Sequence, residues 1–213
     1  MYDVIVIGAG PIGSQVAYRL AGMGYGVVVL EQKETLGGQV CCTGIVGQEC
    51  VRSFDIDESV ILKGVNTARL FSPSGRLLRL WREATQAFIV DRSAFDLAMA
   101  NRAQEKGARY VLNSPVWDIE VGDKGVRVEV AHREGRSSFE ARAAVITTGF
   151  GSRLVGKLGL GKVGDFVMGA QAEVPVVDVD EVEVYFGQES PRFFCLAGTD
   201  LTSSGSGRVI VAP

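Results

Sequence analysis

Val4-Ile5-Val6-Ile7 is an unbroken β-branched run, the pattern of a central parallel strand covered on both faces. A glycine-rich turn follows it. Ile12, Val16, Ala17 and Leu20 then recur at helical spacing, predicting a helix from about Pro11 to Ala21 with those residues on its buried face. Gly22-Met23-Gly24 stops that helix, and Val27-Val28-Val29-Leu30, closed by Glu31, reads as a second buried strand. The first 31 residues therefore hold a complete βαβ unit.

Further along, Phe95, Ala98, Met99 and Ala103 form a second helical stripe, with Ser93 placed to cap it and Gly107 to end it. Arg109 to Leu112 reads as a strand. Alternating runs at Val116–Val121, Gly125–Val130 and Ser138–Arg142, separated by glycine-containing turns, predict an antiparallel meander. Ala144–Thr147 is a short buried strand ending at Thr148-Gly149. Two stretches differ in texture. Residues 60–82 hold a hairpin turning at Ser72-Pro73-Ser74-Gly75. Residues 166–213 read as all-β, with strands near Val167–Val174, Glu183–Phe186, Arg192–Leu196 and Arg208–Val211. The fold class expected is α/β: a βαβ nucleotide domain over 1–52 and 86–165, interleaved with a β-rich second domain over 53–85 and 166–213.

Composition narrows the chemistry. A chain of 213 residues that is 46% hydrophobic with a net charge of −3 can bury a core, and disorder is excluded. Its 22 basic and 25 acidic residues are dispersed along the sequence, so no nucleic-acid or membrane-surface patch is visible. Glycine, at 27 residues, is nearly twice its usual share, which suggests backbone pressed close to a ligand. The four cysteines (Cys41, Cys42, Cys50 and Cys195) include an adjacent pair and no C-x-x-C, so reduced thiols are the simplest account and no metal site is expected. The single histidine, His132, reads as part of a hairpin turn, so histidine-based triads are out. Met1-Tyr2-Asp3 runs straight into the first strand, and no apolar run approaches the roughly 20 residues of a membrane span. A cytoplasmic protein, at most peripheral to a membrane, is expected; the oligomeric state stays open.

The sharpest motif is Gly8-Ala9-Gly10-Pro11-Ile12-Gly13, a G-x-G-x-x-G that follows a buried strand and opens a helix. Glu31 stands 18 residues beyond Gly13 at the end of the second strand. That whole context is a dinucleotide fingerprint. Gly8 permits the sharp turn, Gly10 lets backbone approach a pyrophosphate, and Gly13 lets helix and strand close up. The helix N-terminus offers unpaired N–H groups to phosphate. Glu31 suits a ribose diol and would repel a 2′-phosphate, which opposes NADPH at this site. The fingerprint does not by itself separate FAD from NAD, but Glu31 followed by Gly37-Gly38, and the meander, resemble FAD-binding oxidoreductases.

Four segments together resemble the geranylgeranyl reductase family of flavoproteins, within the fold group shared with aromatic hydroxylases. They are Asp3–Gly13 with Glu31; Gly38-Gln39-Val40-Cys41-Cys42-Thr43-Gly44, similar to the family's G-x-P-V-x-C; Val90-Asp91-Arg92-Ser93-Ala94-Phe95-Asp96, similar to D-R-x-x-F-D; and Tyr185-Phe186-Gly187 with Pro191-Arg192-Phe193-Phe194, similar to Y-F-G…G-Y/F-x-W. The departures are Gln39 in the usual proline region, Thr147-Thr148-Gly149 where hydroxylases have A-D-G, and Cys195 near an expected tryptophan.

The resemblance implies an FAD-dependent oxidoreductase that reduces C=C bonds of an isoprenoid or lipid substrate, with NAD(P)H as a candidate transient electron donor. It implies that Gly8, Gly10, Pro11, Ile12 and Gly13 line the pyrophosphate, and that Glu31 and Gln32 hold the adenosine ribose. Val116 would meet adenine, and Cys42, Thr43, Gly44, Arg92 and Gly149 would line the rest of the cofactor. Arg92 has a plainer reading as a surface arginine paired with Asp91 or Asp96, and Cys42 as a core thiol. Cys42 is the one notable candidate for a catalytic proton donor. The rivals are a flavin monooxygenase or halogenase of the same fold and a non-catalytic nucleotide-binding fragment. Gly164-Asp165 runs into a strand-like segment rather than the helix that closes such FAD sites, so a truncated member with an unpaired sheet edge prone to association is expected. Such a chain would hold FAD weakly and turn over little alone.

Overall fold

The computed structural model describes residues 1–38, 42, 44–132, 135–150, 152–161, 163–166, 170–175, 181–187, 193–199 and 206–212. Its elements run β1 (Tyr2–Ile7), α1 (Pro11–Gly22), β2 (Val27–Leu30), β3 (Ile45–Gly47), α2 (Gln48–Ser53), β4 (Ile61–Val65), β5 (Thr67–Phe71), β6 (Leu77–Trp81), β7 (Ala87–Val90) and α3 (Arg92–Glu105). They continue with β8 (Arg109–Val111), β9 (Val116–Gly122), β10 (Gly125–His132), β11 (Gly135–Ile146), α4 (Arg153–Lys157), β12 (Ala170–Pro175), β13 (Val182–Phe186), β14 (Phe193–Thr199) and β15 (Ser206–Ala212). A 3-10 turn, Glu58–Val60, precedes β4.

Two compact units emerge, Met1–Gly38 with Ser93–Gly164, and Gln39–Arg92 with Asp165–Pro213. Residues 44–52 and 86–92 thus fall in the second unit, whereas the sequence pattern assigns them to the first. The cause is hydrogen bonding: β3 pairs antiparallel with β7, and β7 with β4, so the strands on either side of β5 and β6 are tied together in one three-stranded sheet.

The first unit is built on a six-stranded sheet in the order β8-β2-β1-β11-β10-β9. Strands β8, β2, β1 and β11 run parallel, with Ile7 level with both Leu30 and Ile146. The α/β class with an antiparallel meander is therefore as expected. The two runs read as separate strands, Ser138–Arg142 and Ala144–Thr147, are one continuous strand, β11. Its first half pairs antiparallel with β10 and its second half parallel with β1. Ile5, Ile7, Val28, Leu30, Val128 and Val130 form the core on one face. Val6, Val27 and Val29 form it on the other, against Ala17 and Ala21 of α1 and Ala103 of α3.

Both helices stand where periodicity puts them, but their buried faces differ in detail. Ile12 is 69% exposed, and the face of α1 that seals against the sheet is Gly13, Ser14, Ala17 and Ala21. Small side chains win there because the helix lies close to the strands. In α3 the buried residues are Met99, Ala100 and Ala103, and Ser93 sits inside the first turn, since the helix begins at Arg92.

The second unit carries a sheet in the order β12-β15-β14-β13-β5-β6. Gly75 at φ +77 donates to the Ser72 carbonyl at 2.9 Å, closing the expected β5–β6 turn. Val65, Ile89 and Val182 form its buried cluster. The last strand, β15, is interior to the sheet, lying between β12 and β14 and hydrogen-bonded on both sides. Among the described residues the edges are β12 and β6.

Candidate functional site

The carboxyl ends of β2, β1 and β11 open into a cavity of about 740 Å³ lined wholly by the first unit, a size typical of small-molecule sites. Its position, where strand β1 has a parallel neighbour on either side, is where open α/β sheets bind ligands. Gly8, Gly10, Glu31, Gln32, Val116 and Gly149, all predicted from the sequence, line it.

Each glycine of the turn has a distinct physical reason. Gly8 has φ +105, and a Cβ there would stand 2.6 Å from the Thr147 carbonyl oxygen. A Cβ on Gly13 would stand 1.9 Å from the Gly8 carbonyl oxygen, so helix and turn meet there with no room to spare. Gly10 is different. It has ordinary extended geometry (φ −66, ψ 178), and a Cβ on it would touch nothing within 4 Å. No atom of the described residues accounts for that glycine; a ligand approaching the backbone would. Gly10 also leaves α1 without a side-chain cap, and Pro11 has no N–H. The Ile12 and Gly13 N–H groups, which have no helical acceptor, face the position a phosphate would take.

The turn is held rigidly from behind. The Ala9 N–H donates to Glu31 Oε2 at 2.7 Å, and the Lys33 N–H donates to Oε1 at 2.9 Å. The Tyr110 hydroxyl donates to Ser14 Oγ at 2.9 Å, which in turn donates to the Ala9 carbonyl at 3.3 Å. Burial pushes the Tyr110 phenol up to about 12, against a smaller opposite pull from the Ser14 contact. Thr147 Oγ1 lies 2.9 Å from the carbonyl oxygens of both Ile7 and Gly8, pinning the far side.

Lys33, Ser114, Trp117, Thr147, Thr148, Phe150, Ser152 and Arg153 also line the cavity, and the sequence motifs point to none of them. The signal lies in Thr147-Thr148-Gly149, which reads as a departure from a motif although it ends the strand beside β1. Thr148 Oγ1 is buried with no hydrogen-bond partner among the described residues. That unsatisfied hydroxyl, the vacant space over Gly10, and Lys33 and Arg153 beside the cradle fit a pyrophosphate-bearing dinucleotide such as FAD.

The remaining predicted residues belong to the second unit. Thr43 lies outside the described residues, as do Gln39, Val40 and Cys41. Cys42 is a half-buried free thiol whose Sγ accepts the Gly44 N–H at 3.5 Å. Gly44, at φ +73, lies against the end of β7: a Cβ on it would be 2.4 Å from the Val90 carbonyl oxygen and 3.2 Å from Arg92 Cγ. The Val90 N–H donates to the Gly44 carbonyl at 2.9 Å. The two sequence segments around Cys42 and Arg92 are thus side by side.

Comparison with known proteins agrees with this geometry. A family model described as FAD dependent oxidoreductase matches residues 44–212. The chain belongs to that family. This chain is 32% identical over 196 residues to digeranylgeranylglycerophospholipid reductase 1 of Methanosphaera stadtmanae, covering 88% of this chain and 49% of that protein. It is 26% identical over 199 residues to the digeranylgeranylglycerophospholipid reductase of Methanococcus vannielii, covering 90% and 50%. The fold matches a geranylgeranyl bacteriochlorophyll reductase-like protein of Thermoplasma acidophilum with a TM-score of 0.87 at 24% identity, over 99% of this chain and 56% of that one. The oxidoreductase chain spans about half the length of the curated relatives it matches.

Proposed function

We propose that this FAD-dependent oxidoreductase serves the reduction of C=C bonds in the isoprenoid chains of a lipid. The observation that carries the substrate class is the likeness, over 88% of this chain, to a protein named as a digeranylgeranylglycerophospholipid reductase. The cofactor rests on the chain's own residues.

When bound, FAD supplies the hydride. The protein's part is to hold it and to manage a proton. The α1 N-terminus and the open backbone at Gly10 take the pyrophosphate. Glu31, with one lone pair on each oxygen still free after its two amide contacts, accepts the hydroxyls of the adenosine ribose. Gln32 and Val116 flank the same moiety, and Arg92, Thr43, Gly44 and Gly149 serve the remainder of the cofactor. With the cofactor bound, the Cys42 thiol would supply the proton that saturation of a C=C bond requires, and solvent would restore it. NAD(P)H is the electron donor class that recharges the cofactor. A lipid substrate also calls for contact with a membrane surface, and no helix among the described residues is long and apolar enough to cross one.

The test is an absorption spectrum of the protein supplied with FAD, followed by a single turnover of anaerobic reduction in the presence of a geranylgeranyl lipid. A flavin spectrum bleached by dithionite, and product two mass units heavier for each bond saturated, are expected. Oxygen consumption with a hydroxylated product would replace this reading with a monooxygenase.

A further inference from the structure

Residues 73–84, which take in the β5–β6 turn, β6 and the segment after it up to Ala84, are exposed without interruption. Within that strip stands Arg76-Leu77-Leu78-Arg79-Leu80-Trp81-Arg82. Leu77, Leu78, Leu80 and Trp81 are each 49–61% exposed, in a strand whose five residues are all open to solvent. A solvated edge strand ordinarily shows polar residues on at least one face. This one shows large apolar side chains on both.

The register explains how. Leu78 and Leu80 lie opposite Leu70 and Ala68, which lie beside Val184 and Val182, so they extend an apolar face of the sheet to its rim. Leu77 and Trp81 occupy the other face, with Arg79 between them and Phe71, stacked on Tyr185 at 4.4 Å, alongside. Three arginines and only one acid, Glu83, fall in the strip, although the chain as a whole carries a net charge of −3. Arg79 pairs with Glu181. Arg76 and Arg82 have no ion pair among the described residues.

We propose that β6 and its turn form a docking strip for an anionic lipid bilayer. The inference rests on the reading that the substrate is a membrane lipid, and it names the surface that reaches it. Leucines with a tryptophan, bracketed by arginines, match the headgroup boundary: apolar side chains enter the acyl edge, the indole sits at the interface, and guanidinium groups meet phosphates. The charge pattern disfavours a second copy of the chain. Fully overlapped antiparallel pairing of two β6 strands would set Arg79 against Arg79 and Arg76 against Arg82, and like charges directly opposite repel. Docking is also shallow. The free edge of β6 carries backbone groups that hydrocarbon cannot satisfy but water and phosphate can.

Co-sedimentation of the 213-residue chain with vesicles tests this, comparing pure phosphatidylcholine with mixtures containing about 30% phosphatidylglycerol. The anionic vesicles are expected to bind about tenfold more protein, less as salt rises. In a Trp117→Phe background, which leaves Trp81 as the only tryptophan, its emission shifts to the blue on binding. Arg76→Glu with Arg82→Glu, and separately Leu78→Ser with Leu80→Ser, should each lose most of that binding. Both pairs are exposed, and far-ultraviolet circular dichroism confirms the fold. Wild-type binding that ignores lipid charge, or survives both double variants, overturns the proposal. So does a dimer that Leu78→Ser with Leu80→Ser dissolves while vesicles have no effect. Reduction of detergent-dispersed substrate, measured in parallel, decides the reductase reading separately: a chain that reduces lipid but ignores vesicles refutes the docking strip alone.

Discussion

Glu31 holds the Ala9 backbone N–H at 2.7 Å, tying the acidic residue at the end of β2 to the centre of the glycine-rich turn. Its second oxygen takes the Lys33 N–H, and the residue is only 9% exposed. Glu31 is therefore a brace for the cradle before it is a ligand for ribose. Glu31→Gln keeps the shape but presents one acceptor where two donors converge. It should lose about 1–3 kcal/mol of stability with no nucleotide present, and nucleotide affinity besides. Urea unfolding of the ligand-free protein checks this; an unchanged midpoint would show that the tie contributes nothing.

Gly10 and Gly13 should part company on substitution. Gly13→Ala drives a methyl into the Gly8 carbonyl and should cost about 3 kcal/mol. Gly10→Ala meets no protein atom and should leave the melting temperature nearly unchanged while weakening FAD binding about tenfold or more. Thermal melts and flavin titration, run on both variants, separate the two roles. A Gly10→Ala protein with wild-type FAD affinity would mean that the pyrophosphate does not pass over that residue.

The buried Tyr110 phenol gives the fold a particular alkaline weakness. Its ionisation is raised from 10.0 to about 12, by burial above all. A raised folded-state value gives stability that is whole below the unfolded value and is lost as pH climbs through the folded one. Between about pH 10 and 12 this single group should therefore withdraw about 2–3 kcal/mol. Tyr110→Phe should flatten the fall over that window while sacrificing the hydrogen bond to Ser14. Denaturant unfolding of both proteins at pH 9 and at the top of the window, taken as a difference, isolates the effect from the lysines.

If Cys42 delivers the proton, Cys42→Ala should cut alkene reduction about a hundredfold or more and leave flavin binding intact. Cys42→Ser should recover little of it, a hydroxyl being far the weaker acid. Single-turnover reduction with pre-reduced flavin is the measurement. Full activity in either variant removes the assignment.

The fold is legible where periodicity and glycine chemistry are local. Val4–Ile7, the turn at Gly8–Gly13 and Glu31 announce their roles within a few residues of one another. What escapes depends on contacts distant in sequence. Ile12 looks like core on a helical wheel, yet α1 lies so near the sheet that alanines and Ser14 take the interface and Ile12 is left outside. The reach of β11 through Ala143 is invisible in the pattern because its two halves have different partners and different alternation. Thr148 and Arg153 join the site only because β11 ends beside β1, a fact of strand order that no short motif states.

That strand order also governs how the protein is made. As the chain leaves the ribosome, β1 finds β2 on one side almost at once, but its other neighbour is more than a hundred residues away: Tyr2 pairs with Ala141. Synthesis at about 5–20 residues per second leaves an interval on the order of ten seconds in which Val4–Ile7 has a naked flank. Throughout it the glycine-rich turn lacks Thr147, which later clasps it. The whole of 39–92 must meanwhile be extruded and kept from that flank. Nucleotide capture is thus an event of the finished first unit, and the nascent chain is a natural client for a chaperone that shields apolar strands.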